Sequence, residues 1–232
     1  MSLVTRESAL RQFVDAHPIT PELTPRRAAR VADVVLARLS SVTVVMENLG
    51  DPHNVSAVMR TAEGLGLDAI HVVEQPNRWE KNAAIAKGAD RWIDVVRHQG
   101  LAKCLGDLSA RGFALYAADV GAGCVPVHEI SVLGPVALVF GSERDGLSRR
   151  ALALTDARFT VPMHGFVESF NVSVGAALAL YDVASRRRER VGGGDLEGDA
   201  LEARADGYLR RALRSPALIK RLEESGALAR RG

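Results

Sequence analysis

The sequence predicts an α/β fold: a mostly parallel sheet with helices on both faces and helical extensions at both ends. Two observations carry this. Short apolar, β-rich runs recur at residues 42–46, 69–73, 92–96, 114–117, 135–140 and 157–161, and helical patterns lie between most of them, at 53–65, 101–111 and 147–154. The strand-like runs are also nearly continuous in apolar character, which marks strands buried on both faces of a parallel sheet.

Taken in order, residues 9–16 and 25–39 read as two helices. Thr24-Pro25 supplies a capping residue followed by Pro at the first helical position, and Ala29, Val31, Ala32, Val35, Leu36 and Leu39 continue with helical spacing. From Val42 the period changes to that of strands. Residues 171–190 read as one long helix ending in Arg186-Arg187-Arg188-Glu189-Arg190. Val191-Gly192-Gly193-Gly194-Asp195 is a flexible linker, and 196–213 and 216–225 read as two short amphipathic helices. The division expected is a helical extension over 1–40, a central domain over 41–190 and a second helical extension over 191–232. No internal repeat is visible.

A chain of 232 residues has room for a large core. No apolar run approaches the ~20 residues that span a bilayer, and residues 1–16 lack the apolar stretch of a secretory leader. A cytoplasmic address is therefore expected. Cys104 and Cys124 have no CxxC spacing and no nearby His cluster in the sequence, so they read as small buried hydrophobes, with neither a metal site nor a disulfide argued. Gly121-Ala122-Gly123 follows a strand, but Pro126 stands where a dinucleotide loop needs its third glycine, so nicotinamide binding is rejected.

Charge is uneven along the chain. Residues 1–40 hold six Arg against four acids, 41–179 hold twelve basic residues against fifteen acids, and 180–232 hold twelve against nine. Basic residues thus gather in the flanks, where Arg26, Arg27, Arg30, Arg186, Arg187 and Arg188 are candidates for phosphate contacts, with solvated helix faces as the alternative.

Three segments break from strands into Gly, Pro, Asn and Ser before a helix resumes. They are Glu47-Asn48-Leu49-Gly50-Asp51-Pro52-His53-Asn54-Val55-Ser56-Ala57-Val58-Met59-Arg60-Thr61, then Val139-Phe140-Gly141-Ser142-Glu143-Arg144-Asp145-Gly146-Leu147-Ser148, then Val161-Pro162-Met163-His164-Gly165-Phe166-Val167-Glu168-Ser169-Phe170-Asn171-Val172-Ser173-Val174. Open α/β sheets place their ligands at such carboxyl ends of strands. Asn54 and Arg60 lie six residues apart, about 600° around a helix, so they converge only if Asn54 sits at the cap and Arg60 projects from the second turn. On local pattern alone, Asn54 reads as a helix cap, Gly141 to Gly146 as a strand-to-helix turn, Ser169 as an N-cap and Phe170 as a core aromatic. His53 reads as an exposed loop residue without a chemical role.

The order and wording of these segments resemble the SpoU family of RNA 2′-O-methyltransferases, and within it the tRNA guanosine-2′-O-methyltransferases (TrmH type), over about residues 42–183. Pattern alone suggests an unknotted sheet. The resemblance instead implies the trefoil knot of the SPOUT superfamily, with 141–148 and 162–174 as the knotted loops. It further implies S-adenosylmethionine as cofactor and 2′-O-methylation of a D-loop guanosine in tRNA. Arg60, Asn54, Glu143, Ser169 and Asn171 fall on catalytic-pocket positions; Ala118, Gly141, Val161, Met163 and Phe170 fall on cofactor positions. Ala118 stands where relatives carry Thr, which leaves only a backbone contact there, and Phe170 replaces a common Leu. A homodimer is also implied, with the residue at Arg60 reaching the partner's pocket and the 171–181 helix lying across the two-fold axis. No metal is required, because the sulfonium is already activated. Ribosomal RNA is the alternative substrate, and a non-catalytic RNA-binding protein is the reading from another functional class.

Overall fold

The computed structural model describes residues 3–49, 51–73 and 88–229. Two compact units emerge, one made of residues 39–193 and the other of 1–38 together with 194–232. The larger unit holds β1 (Val42–Glu47), α3 (Pro52–Gly64), β2 (Ala69–Val73), β3 (Asp94–His98), α4 (Leu101–Ala110), β4 (Ala114–Ala118), β5 (Val125–Pro126), β6 (Val136–Phe140), α5 (Arg149–Leu154), β7 (Ala157–Thr160) and α6 (Val172–Val191). The smaller holds α1 (Leu3–Ala16), α2 (Pro25–Leu36), α7 (Gly198–Leu213) and α8 (Pro216–Glu224).

Among the described residues, seven strands form one sheet in the order β3-β2-β1-β6-β4-β7-β5, and every pairing between them is parallel. β1 and β6 sit centrally, in register from Val42 with Val136 to Met46 with Phe140. Every residue of both strands is buried, which explains their unbroken apolar runs. Side chains two residues apart share a face. Val42, Val44 and Met46 pack with Val55, Val58 and Met59 of α3 and with Ala176, Ala179, Leu180 and Val183 of α6. Val45, Ala137 and Val139 face the other way, onto Leu101, Cys104, Leu105 and Leu108 of α4 and Ala151 of α5. The α/β architecture with helices on both faces is therefore the one expected.

Two strands differ from expectation. The run at 92–96 shifts to Asp94–His98, because Ala89–Arg91 is taken up by a single turn of 3-10 helix after the left-handed Gly88. β5 was not expected; its two residues pair with β7 at the sheet edge, where Pro126 is tolerated.

In the smaller unit, Thr24 caps α2 by accepting from the Arg27 amide, and Pro25 opens the helix. The two ends of the chain, expected as separate extensions, meet in this one unit. The buried Arg6 guanidinium donates to the Gly194 and Leu36 carbonyls, both at 2.6 Å. Gly194 must be glycine, since a Cβ there would collide with the carbonyls of Leu36 and Arg38. Among the described residues, no helix is long and apolar enough to cross a membrane.

Candidate active site

The carboxyl ends of β4, β6 and β7 open into a cleft of about 540 Å³. Its walls include eight residues singled out in the sequence: Ala118, Gly141, Glu143, Val161, Met163, Ser169, Phe170 and Asn171. Tertiary structure brings these together from three separated stretches of chain. Asp119, Ser142, Leu147 and Thr160 also line it and were not foreseen. Ser142 and Leu147 lie within the second segment, Thr160 immediately precedes the third, and Asp119 follows Ala118, so strand-end position was the one clue.

The loop after β6 is held by its own backbone. Ser142 and Gly146 exchange amide-to-carbonyl bonds of 3.1 and 3.0 Å, and the Asp145 amide donates to the Ser142 hydroxyl at 3.1 Å. Gly146 adopts φ +63°, and a Cβ on Gly141 would strike the backbone of Gly146 and Leu147. Glycine at 141 is thus dictated by loop closure, which turns the 142–147 backbone toward the cleft. The loop is anchored from below by Glu47 at the end of β1. Its buried carboxylate accepts from the Ser148 amide at 2.9 Å and the Ser148 hydroxyl at 2.7 Å, while Ser148 caps α5 through the Ala151 amide. Nothing local in the sequence marks Glu47 as an anchor, because its partner lies 101 residues away.

Asn54 requires a correction. It does not cap α3: Asp51 does, accepting from the His53 amide at 2.8 Å, with Pro52 at the first helical position. That hydrogen bond is the main reason the Asp51 carboxyl lies below its ordinary pKa. His53 is exposed and bonds Asp51 through its ring as well. Asn54 lies inside the first turn, buried, and its amide donates to the Glu143 carboxylate. The first and second segments are thereby joined at the cleft. Arg60, further along α3, is exposed and does not line the cleft of its own chain. Gly50, within the first segment, lies outside the described residues.

The third segment corrects a second local expectation. Asn171 rather than Ser169 caps α6, accepting from the Ser173 amide at 2.9 Å and the Ser173 hydroxyl at 2.6 Å. Phe170 is not a core aromatic; it is 38% exposed on the cleft wall, backed by Gly175.

The basic run at the end of α6 is also corrected. Arg186 donates to the Ile130 and Val127 carbonyls at 2.7 and 2.9 Å and pairs with Asp182 at 2.6 Å. Arg187 binds the Ser41 hydroxyl and the Val132 and Leu133 carbonyls, and Arg188 binds the Leu65 carbonyl at the end of α3. These guanidinium groups satisfy backbone acceptors of irregular segments, so the expected phosphate contacts give way to a structural role. Arg26 and Arg30 stay exposed on α2, with Arg27 half-buried.

Cys104 is buried in the core, as expected, but in company that the sequence does not show. It lies buried beside His71 of β2 and His98 of β3, with one potential ligand atom from each of the three within 4.8 Å of the others. Burial pushes the His71 imidazole down to about 4 and the Cys104 thiol up to about 12. The neighbours are 27 and six residues apart in sequence, a spacing that carries no motif.

Comparison with known proteins bears on this geometry. Residues 41–181 match the model of the SpoU rRNA Methylase family. A tRNA (guanosine(18)-2'-O)-methyltransferase from Escherichia coli is 35% identical over 73% of this chain and 74% of its own length. One of the same name from Thermus thermophilus is 34% identical over 74% of this chain and 88% of its own. The crystal structure of the A. aeolicus TrmH/SpoU tRNA modifying enzyme shares the fold, with a TM-score of 0.74 at 24% identity, covering 82% of this chain and 98% of that one. With a family match over more than half its length, and with these relatives, the chain belongs to the SpoU methylase family.

Proposed function

We propose that the protein uses S-adenosylmethionine to methylate a ribose 2′-hydroxyl of tRNA, that of the guanosine at position 18 in the D-loop, as in the name of its E. coli relative. The observation that carries this is convergence: the Asn54–Glu143 hydrogen bond joins the first segment to a cleft whose walls come from the other two. A volume of about 540 Å³ with mixed aromatic and backbone lining suits a nucleoside-sized cofactor.

When bound, the cofactor supplies an activated methyl carbon on its sulfonium. Backbone groups near Val161 and Met163 would hold its adenine, Phe170 would pack against it, Ala118 would offer a backbone contact, and the closed Gly141–Gly146 loop would present amides, all of these residues lining the cleft. Glu143, held by Asn54, shapes the acceptor side with Ser169 and Asn171. Arg60 has the wrong chemistry for a base, since a guanidinium offers only donors and no acceptor. It instead binds the phosphate beside the target and orients the hydroxyl. The bound cofactor would supply the methyl group, and the residues of this chain would hold the hydroxyl in line with it and pass its proton to the phosphate or to water. Alignment of this kind supplies about 7–11 kcal/mol of a barrier.

Arg60 is exposed on its own chain, which supports a site completed by a second copy. An apolar stripe supports a homodimer: Val174, Leu178 and Tyr181 stand exposed at helical spacing on α6, and Phe166 is fully exposed in the loop before that helix. We further read the loops at 141–148 and 162–174 as crossing in a trefoil knot, in keeping with β6 lying between β1 and β4. Arg26, Arg27 and Arg30 contact tRNA phosphates, and the enzyme works in the cytoplasm without a catalytic metal.

The test is incubation of unmodified tRNA and ribosomal RNA with labelled cofactor, followed by mapping of the modified ribose. Label at D-loop guanosine is the expected result. The family description names rRNA, so label on ribosomal RNA alone favours that substrate, and absence of cofactor binding by calorimetry sinks the reading altogether. Arg60→Lys is expected to lower kcat at least tenfold; near-normal turnover removes the bidentate phosphate role.

A further inference from the structure

On the face of the sheet opposite α3 and α6, an imidazole interrupts an apolar strand. His71 stands in the run Ile70-His71-Val72-Val73 and is 6% exposed. The parallel register pairs His71 with Val96 and Val73 with His98, so His98 lies on the same face, one strand over and two residues along. The rings stack with centroids 5.1 Å apart, and His71 Nδ1 is 2.9 Å from His98 Nε2. α4 lays Cys104 on this face, fully buried, completing a group whose three potential ligand atoms lie within 4.8 Å of one another.

We propose that His71, His98 and Cys104 form a binding site for a single zinc-class divalent ion. Two imidazoles and a thiol are the donor set that borderline-soft metals prefer. At Zn–N of about 2.0–2.1 Å and Zn–S of about 2.3 Å, tetrahedral ligands sit roughly 3.3–3.6 Å apart. The facing ring nitrogens stand 2.9 Å apart and all three ligand atoms lie within 4.8 Å of one another, so the two rings would have to part by a few tenths of an ångström to admit the ion. The ion enters between the two facing ring nitrogens and replaces their shared hydrogen bond. The donating imidazole moves its proton to its other ring nitrogen, and the thiol loses its proton to solvent, so one proton is released per ion bound. Three protein ligands leave the fourth position to water.

Charge near the site sets its strength. Asp107, one turn beyond Cys104 on α4, acts electrostatically on both His98 and Cys104, and with a thiolate it balances a dication. Lys103 and Arg111 act on the histidines with opposite sign. The bound ion links three elements, the edge strand β3, its neighbour β2 and α4, and is a structural clamp remote in sequence from the segments of the cleft. The proposal does not rest on methyl transfer.

The experiment is titration of metal-free full-length protein with cobalt(II), a spectroscopic stand-in for zinc. One equivalent is expected to raise a near-ultraviolet thiolate-to-cobalt charge-transfer band that zinc then abolishes, with a rise in Tm. Cys104→Ser should remove the band and Cys124→Ser should leave it. His98→Gln, at a half-buried position that tolerates change, should weaken cobalt binding at least tenfold while the folded circular-dichroism spectrum is kept. A folded wild-type protein that shows no charge-transfer band overturns the site. So does a band lost with Cys124→Ser, or one that His98→Gln leaves at full affinity. In those cases the group is a hydrogen-bonded histidine pair beside a buried thiol.

Discussion

The loop after β6 and the basic end of α6 both stand out in the sequence as places to meet a ligand, and they part company in three dimensions. In the loop, the backbone satisfies itself by the Ser142–Gly146 pair, leaving polar side chains such as Glu143 facing a cleft. In the helix end, Arg186, Arg187 and Arg188 are turned inward onto carbonyls of 127–133 and Leu65. A charged side chain is available to a substrate only where the protein's own acceptors have been met by something else. Residue type alone does not report that.

The largest effect should come from the loop. Gly141→Ala forces a Cβ into the backbone of Gly146 and Leu147, so the closed turn must open; cofactor affinity measured by calorimetry is expected to fall about a hundredfold, roughly 2.7 kcal/mol. Retention of wild-type affinity would show that loop closure does not shape the cleft. Arg186→Ala strips two carbonyls and Asp182 of their donor, and should cost about 2–3 kcal/mol in denaturant unfolding. Its tRNA affinity should be unchanged at fixed salt, and a selective loss of RNA binding without loss of stability would reverse that assignment. The double substitution Arg26→Ala with Arg30→Ala is the mirror image. It should leave stability within about 0.5 kcal/mol and reduce the slope of log affinity against log salt by about one per phosphate contact removed; an unaltered slope removes α2 from the interface. The smallest effect on function is expected for Asp51→Ala, which deletes the α3 cap and should lower Tm. Because Asn54 is held by Glu143 as well as by the helix, activity should drop less than stability suggests.

Legibility varied in the same way. The core strands were readable, since β1 and β6 are buried on both faces and their apolar character is continuous. β3 slid by two residues because an edge strand has a mixed pattern and its limits follow from pairing with β2. The two-residue β5 had no pattern to read. At the cleft, Gly141 and Phe170 were found through the wording of a segment, and their physical reasons came afterwards. Glu47 carried no local mark, because its role depends on Ser148 across 101 residues. The His71–His98–Cys104 group was likewise silent, scattered over two strands and a helix.

What the sequence determined by itself is therefore the periodic and the local: an α/β alternation, the Thr24 cap, and three strand-end segments that resemble those of one family. These follow from short-range sterics and from which faces must leave water, and both are written along the chain. The glycine stretch read as a flexible linker is instead held at Gly194 by Arg6 and packed on the carbonyls of Leu36 and Arg38. Tertiary structure decided which polar groups face one another: Asn54 with Glu143, Glu47 with Ser148, Arg186 with the carbonyls of 127 and 130, and two histidines with a thiol. Hydrogen bonds and desolvation act over a few ångströms of space, and space is assembled only when the sheet orders its strands.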